Sequence, residues 1–139
     1  MRYALLAILL AALMFVGEWT YRSFLRPVDP PTPEMVALGE HLKAAGFLAR
    51  FYPVRHGFHH SQVSAHGAYE LTSFPLPVSV SACPTEEAAE AHRQAIERSP
   101  NLLNPTRKGR LVIWFPMWGD DTSEMMVKVS NAVASFGPR

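Results

Sequence analysis

A single cysteine, Cys83, leaves no partner for an intrachain disulfide, so the fold must be held by its core alone and the redox compartment cannot be read from thiols. Charge of either sign is also lacking in excess: 13 Lys and Arg against 12 Asp and Glu give a formal net charge of +1. That balance excludes the broad basic footprint of a nucleic-acid-binding protein. The only dense basic cluster, Arg107-Lys108-Gly109-Arg110, reads as a solvated turn ahead of a strand. The chain has no internal repeat and no long low-complexity tract, which excludes solenoids and arrays. It also carries no motif specific enough to name an activity.

What it does have is an apolar beginning. Tyr3 to Val16 contains no charge and is followed by Glu18-Trp19-Thr20-Tyr21-Arg22. A secretory signal peptide adds a small-x-small cleavage site to such a run. Cleavage after Gly17 would put Phe15 where a small residue is needed, so the segment reads as an uncleaved signal anchor rather than a cleaved signal peptide. Tyr3–Gly17 is short for a span of about 20 residues. Continuation through Trp19, Tyr21, Phe24 and Leu25 supplies the missing length, with Trp and Tyr suited to the headgroup region. The expectation is a single transmembrane helix over 1–25, with the bilayer as one partner. Arg2 on one side and Arg22 and Arg26 on the other nearly balance, and the short leading tail places the folded part on the periplasmic or extracytoplasmic side.

Residues 26–33, Arg-Pro-Val-Asp-Pro-Pro-Thr-Pro, hold four of the 12 prolines and predict a semi-rigid extended spacer. Residues 34–139 then suffice for one small domain. Thr32 as N-cap, Pro33 at the first helical position, Met35, Leu38, Leu42 and Ala45 at helical spacing and Gly46 as terminator predict a helix over 33–45. Phe47–Arg55 reads as a strand pushed toward an edge by Pro53. A Gly/His/Ser-rich connection over 57–67 leads to an extended region broken by Pro75 and Pro77 into Tyr69–Phe74 and Val78–Ala82. Pro84-Thr85-Glu86-Glu87 opens a helix to about Arg98, with a shallow stripe of Ala88, Ala91 or His92, Ala95 and Ile96. Leu111–Phe115, apolar on both faces, is the strongest strand and should be central. Asp121 and Glu124 form a capping-box pattern before a final helix with Met125, Met126, Val129, Ala132, Val133 and Phe136 on one face. The expected fold is α+β, an α-β-β-α-β-α sandwich whose three- or four-stranded mixed sheet is covered by helices mostly on one face.

Two groups of side chains invite chemistry. His56, His59, His60 and His66, four of the six histidines, crowd one connection, and imidazoles suit zinc, copper or nickel. The window contains no Cys, Asp or Glu, and its spacing matches no helical or finger pattern, so a solvated polar loop is the plainer reading. Trp114, Phe115, Met117 and Trp118 form the densest apolar patch beyond the N-terminus. Aromatics and Met are enriched at interface anchors, which makes this a candidate partner-binding edge, extended by Phe51, Tyr52 and Phe58 if they share it. Cys83 precedes a helix, but His92 lies too far along that helix to activate it, and a buried core thiol is the simpler role. Asp120-Asp121 sits where a helix needs a cap.

Two classes of function follow. The first is a non-enzymatic, membrane-tethered protein-binding or scaffolding domain, an accessory subunit of an envelope complex with another membrane or envelope protein as partner and no cofactor. The second is a metal-binding or hydrolytic domain using a transition metal on the loop histidines, with Asp120 or Glu70 assisting. The second requires the imidazoles to converge within about 3–4 Å, as ligand bonds near 2.1 Å demand.

Overall fold

A computed structural model describes residues 2–21, 28–54, 62–72, 74–116 and 124–137. Its elements run α1 (Arg2–Thr20), α2 (Pro33–Ala44), β1 (Ala49–Pro53), β2 (Ala65–Leu71), β3 (Phe74–Ala82), α3 (Glu86–Glu97), β4 (Leu102–Lys108), β5 (Leu111–Pro116) and α4 (Glu124–Ser135). The five strands form one sheet in the order β1-β2-β3-β5-β4, and every neighbouring pair is antiparallel.

Four expectations are corrected by this architecture. No helix among the described residues is long and apolar enough to cross a membrane, which overturns the transmembrane anchor and with it the single-pass, extracytoplasmic placement. At 1.5 Å per residue the uncharged run Tyr3–Val16 extends only about 21 Å, against about 30 Å of hydrocarbon. The helix ends at Thr20 with Arg2 and Glu18 inside it, and the Phe24 and Leu25 needed for extra length lie outside the described residues. The sheet has five antiparallel strands rather than three or four mixed ones.

The missed strand is β4, whose Asn104-Pro105 step departs from regular strand geometry. Asn104 takes a positive φ of 51°, and the register slips between Leu103 and Thr106. On an edge such a bulge with proline interrupts pairing on one side only. The fourth correction is to β3, which is continuous across Pro75 and Pro77. Those prolines fall where the register with β2 jumps from Phe74 to Val78, and β5 pairs only from Ser79 onward. Neither proline therefore removes a registered ladder bond.

Helices cover both faces of the sheet. On one face, Met35, Leu38 and Leu42 of α2 and Met126, Val129 and Val133 of α4 pack on Tyr69, Leu71, Val78, Val80, Leu111, Ile113 and Phe115. On the other, Ala89 and Ile96 of α3 pack on Cys83, Val112 and Trp114. The local signals for these helices are physical. Thr32 Oγ1 accepts from Met35 N at 3.3 Å, Pro33 follows at N1, and Gly46 with φ +94° ends the helix in the left-handed region. Thr85 Oγ1 accepts from Ala88 N at 3.1 Å and starts α3. Outside, Arg93 bridges Glu90 at 2.8 Å and Glu97 at 3.1 Å. Arg107 of β4 reaches Glu86 and Glu90 at 3.1 and 3.4 Å. The Arg93 and Gln94 hydrogen bonds hold the Glu90 carboxyl down at about 2.

α2 lies so close to the sheet that one glycine decides its approach. Tyr69 donates its hydroxyl to the Met35 carbonyl at 2.5 Å, and its ring runs beneath Gly39. A Cβ on Gly39 would meet the Tyr69 hydroxyl oxygen at 2.6 Å and its ring carbons at 2.7 and 2.9 Å. Burial pushes the Tyr69 phenol up to about 12. Gly39→Ala is therefore expected to destabilise the fold by about 1–3 kcal/mol, despite alanine's better helix propensity, because overpacking outweighs it. Urea unfolding of the variant and parent provides the check, and an unchanged midpoint would show that α2 shifts freely.

Candidate functional site

α1 stands apart from both cores. Every residue from Leu6 to Tyr21 is exposed, and its large apolar side chains range from 47% exposed at Trp19 to 75% at Met14. At about 100° per residue, Leu6, Met14, Phe15 and Val16 point in four different directions around the axis. Ala7 and Ala11 occupy the widest gap between the large side chains. The helix is thus apolar around its circumference and not along one stripe. A helix of that kind is normally enclosed.

The second feature is a polar group buried under α3. His66 of β2, Ser81 of β3 and His92 of α3 meet around one hydroxyl. His66 Nδ1 lies 3.1 Å from Val80 O and 2.9 Å from Ser81 Oγ, and His92 Nε2 lies 3.3 Å from the same Oγ. A carbonyl only accepts, so His66 Nδ1 carries the proton toward Val80 O, and the Ser81 hydroxyl, able to accept and to donate, stands within hydrogen-bond reach of both rings. Trp114 completes the group, stacked on the His66 ring at 5.4 Å and 8° and met edge-on by His92 at 5.6 Å. Ser81 is 1% exposed. A hydroxyl so enclosed positions the rings around Trp114 and presents no nucleophile to a substrate.

A cleft of about 630 Å³ between α2 and the end of α4 is lined by Pro33, Glu34, Ala37, Glu40, His41, Phe136 and Gly137. Its polar groups are engaged with one another or with neighbours. Glu34 pairs with Arg110, Glu40 pairs with Lys43 at 2.8 Å, and His41 Nε2 meets Ala132 O at 2.9 Å and Ser135 Oγ at 3.0 Å. That imidazole tucks the end of α4 against α2.

The residues singled out in the sequence are distributed as follows. His56, His59 and His60 lie outside the described residues, as do Met117, Trp118, Phe58, Asp120 and Asp121. His66 is on β2, not in a connection, and is joined to His92 and Ser81. Among the described residues no three His, Cys, Asp or Glu side chains stand close enough to hold a metal ion. Trp114 and Phe115 are 7% and 1% exposed on opposite faces of β5. Phe51 and Tyr52 belong to β1, separated from β5 by β2 and β3, so they do not share its edge. Phe51 instead lies over Gly67, where a Cβ would meet its ring at 2.3–2.4 Å. Glu70 is exposed on β2. Cys83 is buried, and burial pushes its thiol up to about 11, the opposite of activation.

Sequence reasoning missed Ser81 and the pairing of His66 with His92. The available signals were His92 at the centre of the α3 stripe, and Ser81 alternating with Val80 and Ala82 on a strand otherwise apolar.

Removing the shared hydroxyl by Ser81→Ala should cost about 1–2 kcal/mol, since two ring nitrogens lose a partner. It should also change the Trp114 fluorescence, and an unaltered spectrum with unaltered stability would contradict the shared-hydroxyl arrangement. The buried thiol makes a separate pH prediction. Its folded value lies above its ordinary 9.0, so above that pH the unfolded chain releases a proton that the folded chain keeps. The thiol's contribution to stability is complete below pH 9 and should be lost as pH rises toward 11. Urea midpoints across that window should decline less steeply in Cys83→Ala than in the parent. No protein-family model matches the chain, no curated protein matches its sequence, and no solved structure matches its fold.

Proposed function

We propose that this chain is a protein-binding domain, a non-catalytic subunit whose binding element is α1. The supporting observation is the exposure of Leu6, Ile8, Leu9, Leu10, Leu13, Met14, Phe15 and Val16 on one regular helix that takes no part in either core. Soluble monomers seldom expose a continuous apolar surface of several hundred Å², and surfaces of that size mark contact sites. The folded part supplies a rigid base: a sheet covered on both faces, with its buried hydroxyl, thiol and phenol turned inward.

The test is affinity purification of the tagged full-length chain from its native cells, alongside Leu9→Asp/Leu13→Asp, with the co-purifying polypeptides quantified. A partner near one-to-one with the parent and at least tenfold depleted with the variant is the expected result. Both proteins should retain the same circular dichroism, because neither side chain belongs to a core. Absence of a stoichiometric polypeptide from the parent would overturn the reading.

A further inference from the structure

The two edges of the sheet are not alike. β4 carries the Asn104-Pro105 bulge, which breaks its own row of outward groups. β1 keeps an unbroken register with β2 from Ala49 to Pro53. Val54 N donates to His66 O at 3.1 Å and Thr72 N to Leu48 O at 3.3 Å. The alternation of an antiparallel ladder therefore turns the backbone groups of Leu48, Arg50, Tyr52 and Val54 toward β2, and those of Ala49, Phe51 and Pro53 outward. Among the described residues nothing bonds to the outward N–H groups of Ala49 and Phe51. The Phe51 ring does not shield them, because it leans inward over Gly67 and lies 5.3 Å from the Tyr69 ring. A groove of about 140 Å³ lies between α2 and β1, lined in part by Pro31, Val36, Ala49 and Phe51.

We infer that β1 is a dimerisation edge, pairing antiparallel with β1 of a second copy about a two-fold axis at Phe51 and joining the two sheets into one. The residues themselves select that register. An axis at Arg50 sets each guanidinium directly opposite the other, a like-charge pair. An axis at Tyr52 sets Phe51 against Pro53, whose missing N–H leaves one bond where two could form. With the axis at Phe51, the two Phe51 residues exchange both their bonds and each Ala49 N–H donates to the Pro53 carbonyl of the other copy. Arg50 then stands across from Tyr52 of the second copy, and this cation–π pair forms twice. Both side chains are exposed and share the face away from α2. The Phe51 rings meet on the other face, beside the groove.

Tyr52 is the position to vary, since it faces neutral Ala68 on β2 whereas Arg50 faces Glu70. The experiment is sedimentation equilibrium of the full-length chain in a mild non-ionic detergent, with Tyr52→Arg and Tyr52→Glu alongside. The expected result is a parent dimer that is weakened at least about tenfold in Tyr52→Arg, where both cross-copy pairs become like-charged, and tightened in Tyr52→Glu, where both become opposite-charged. Amide exchange followed by nuclear magnetic resonance should slow at Ala49 and Phe51 as concentration rises, while Arg50 and Tyr52, already bonded to β2, stay unchanged. A parent that remains monomeric at about 100 µM would overturn the pairing. So would association that both variants alter in the same direction, or that neither alters, which would assign it to another surface such as α1.

Discussion

The strand Leu111–Phe115 is buried on both faces, and the rest of the domain follows from satisfying it. Leu111, Ile113 and Phe115 face one way and Val112 and Trp114 the other, all 7% exposed or less. A strand with two apolar faces can be stable only inside a sheet with a layer on each side. α2 and α4 supply one layer and α3 the other. The antiparallel β4–β5 hairpin places this strand between β3 and β4, away from either edge. Gly109, at φ 59° in the turn, supplies the left-handed residue that so tight a reversal needs.

The two faces solve their packing differently. On the α2/α4 face the contact is close and aliphatic, with α2 drawn onto the sheet where Gly39 lets the Tyr69 ring pass beneath it. On the α3 face the stripe is shallow, Ala89 and Ile96, and the space beside it is filled by imidazoles around Trp114. Burying polar rings is costly unless each finds a partner. The Ser81 hydroxyl meets that need, at 2.9 and 3.3 Å from the two rings. Chemically potent side chains are thereby used as packing material.

Local signals carried much of the fold. Thr32-Pro33 and Thr85 began helices where capping chemistry requires them, and the spacing of Met126, Val129, Ala132 and Val133 marked the inward face of α4. Pro75 and Pro77 were read as breaks because proline cannot donate to a ladder, yet both sit where the register slips. Those positions are defined by strand order, which belongs to the tertiary structure. The N-terminal helix was misread for a different reason: its apolar character was plain, but its uncharged run, Tyr3–Val16, is too short to cross a membrane.

The sequence by itself determined an α+β domain, the positions of its capped helices, a strand buried on both faces, the burial of Cys83 and an apolar N-terminal helix. Each is encoded in residues within a few turns of one another, where capping, period and side-chain polarity act directly. Only the tertiary structure decided the five-stranded antiparallel order and the meeting of His66, Ser81, His92 and Trp114. These depend on which strand lies beside which, a choice made by joint burial of residues as far apart in the chain as His66 and Trp114. No local pattern encodes that choice.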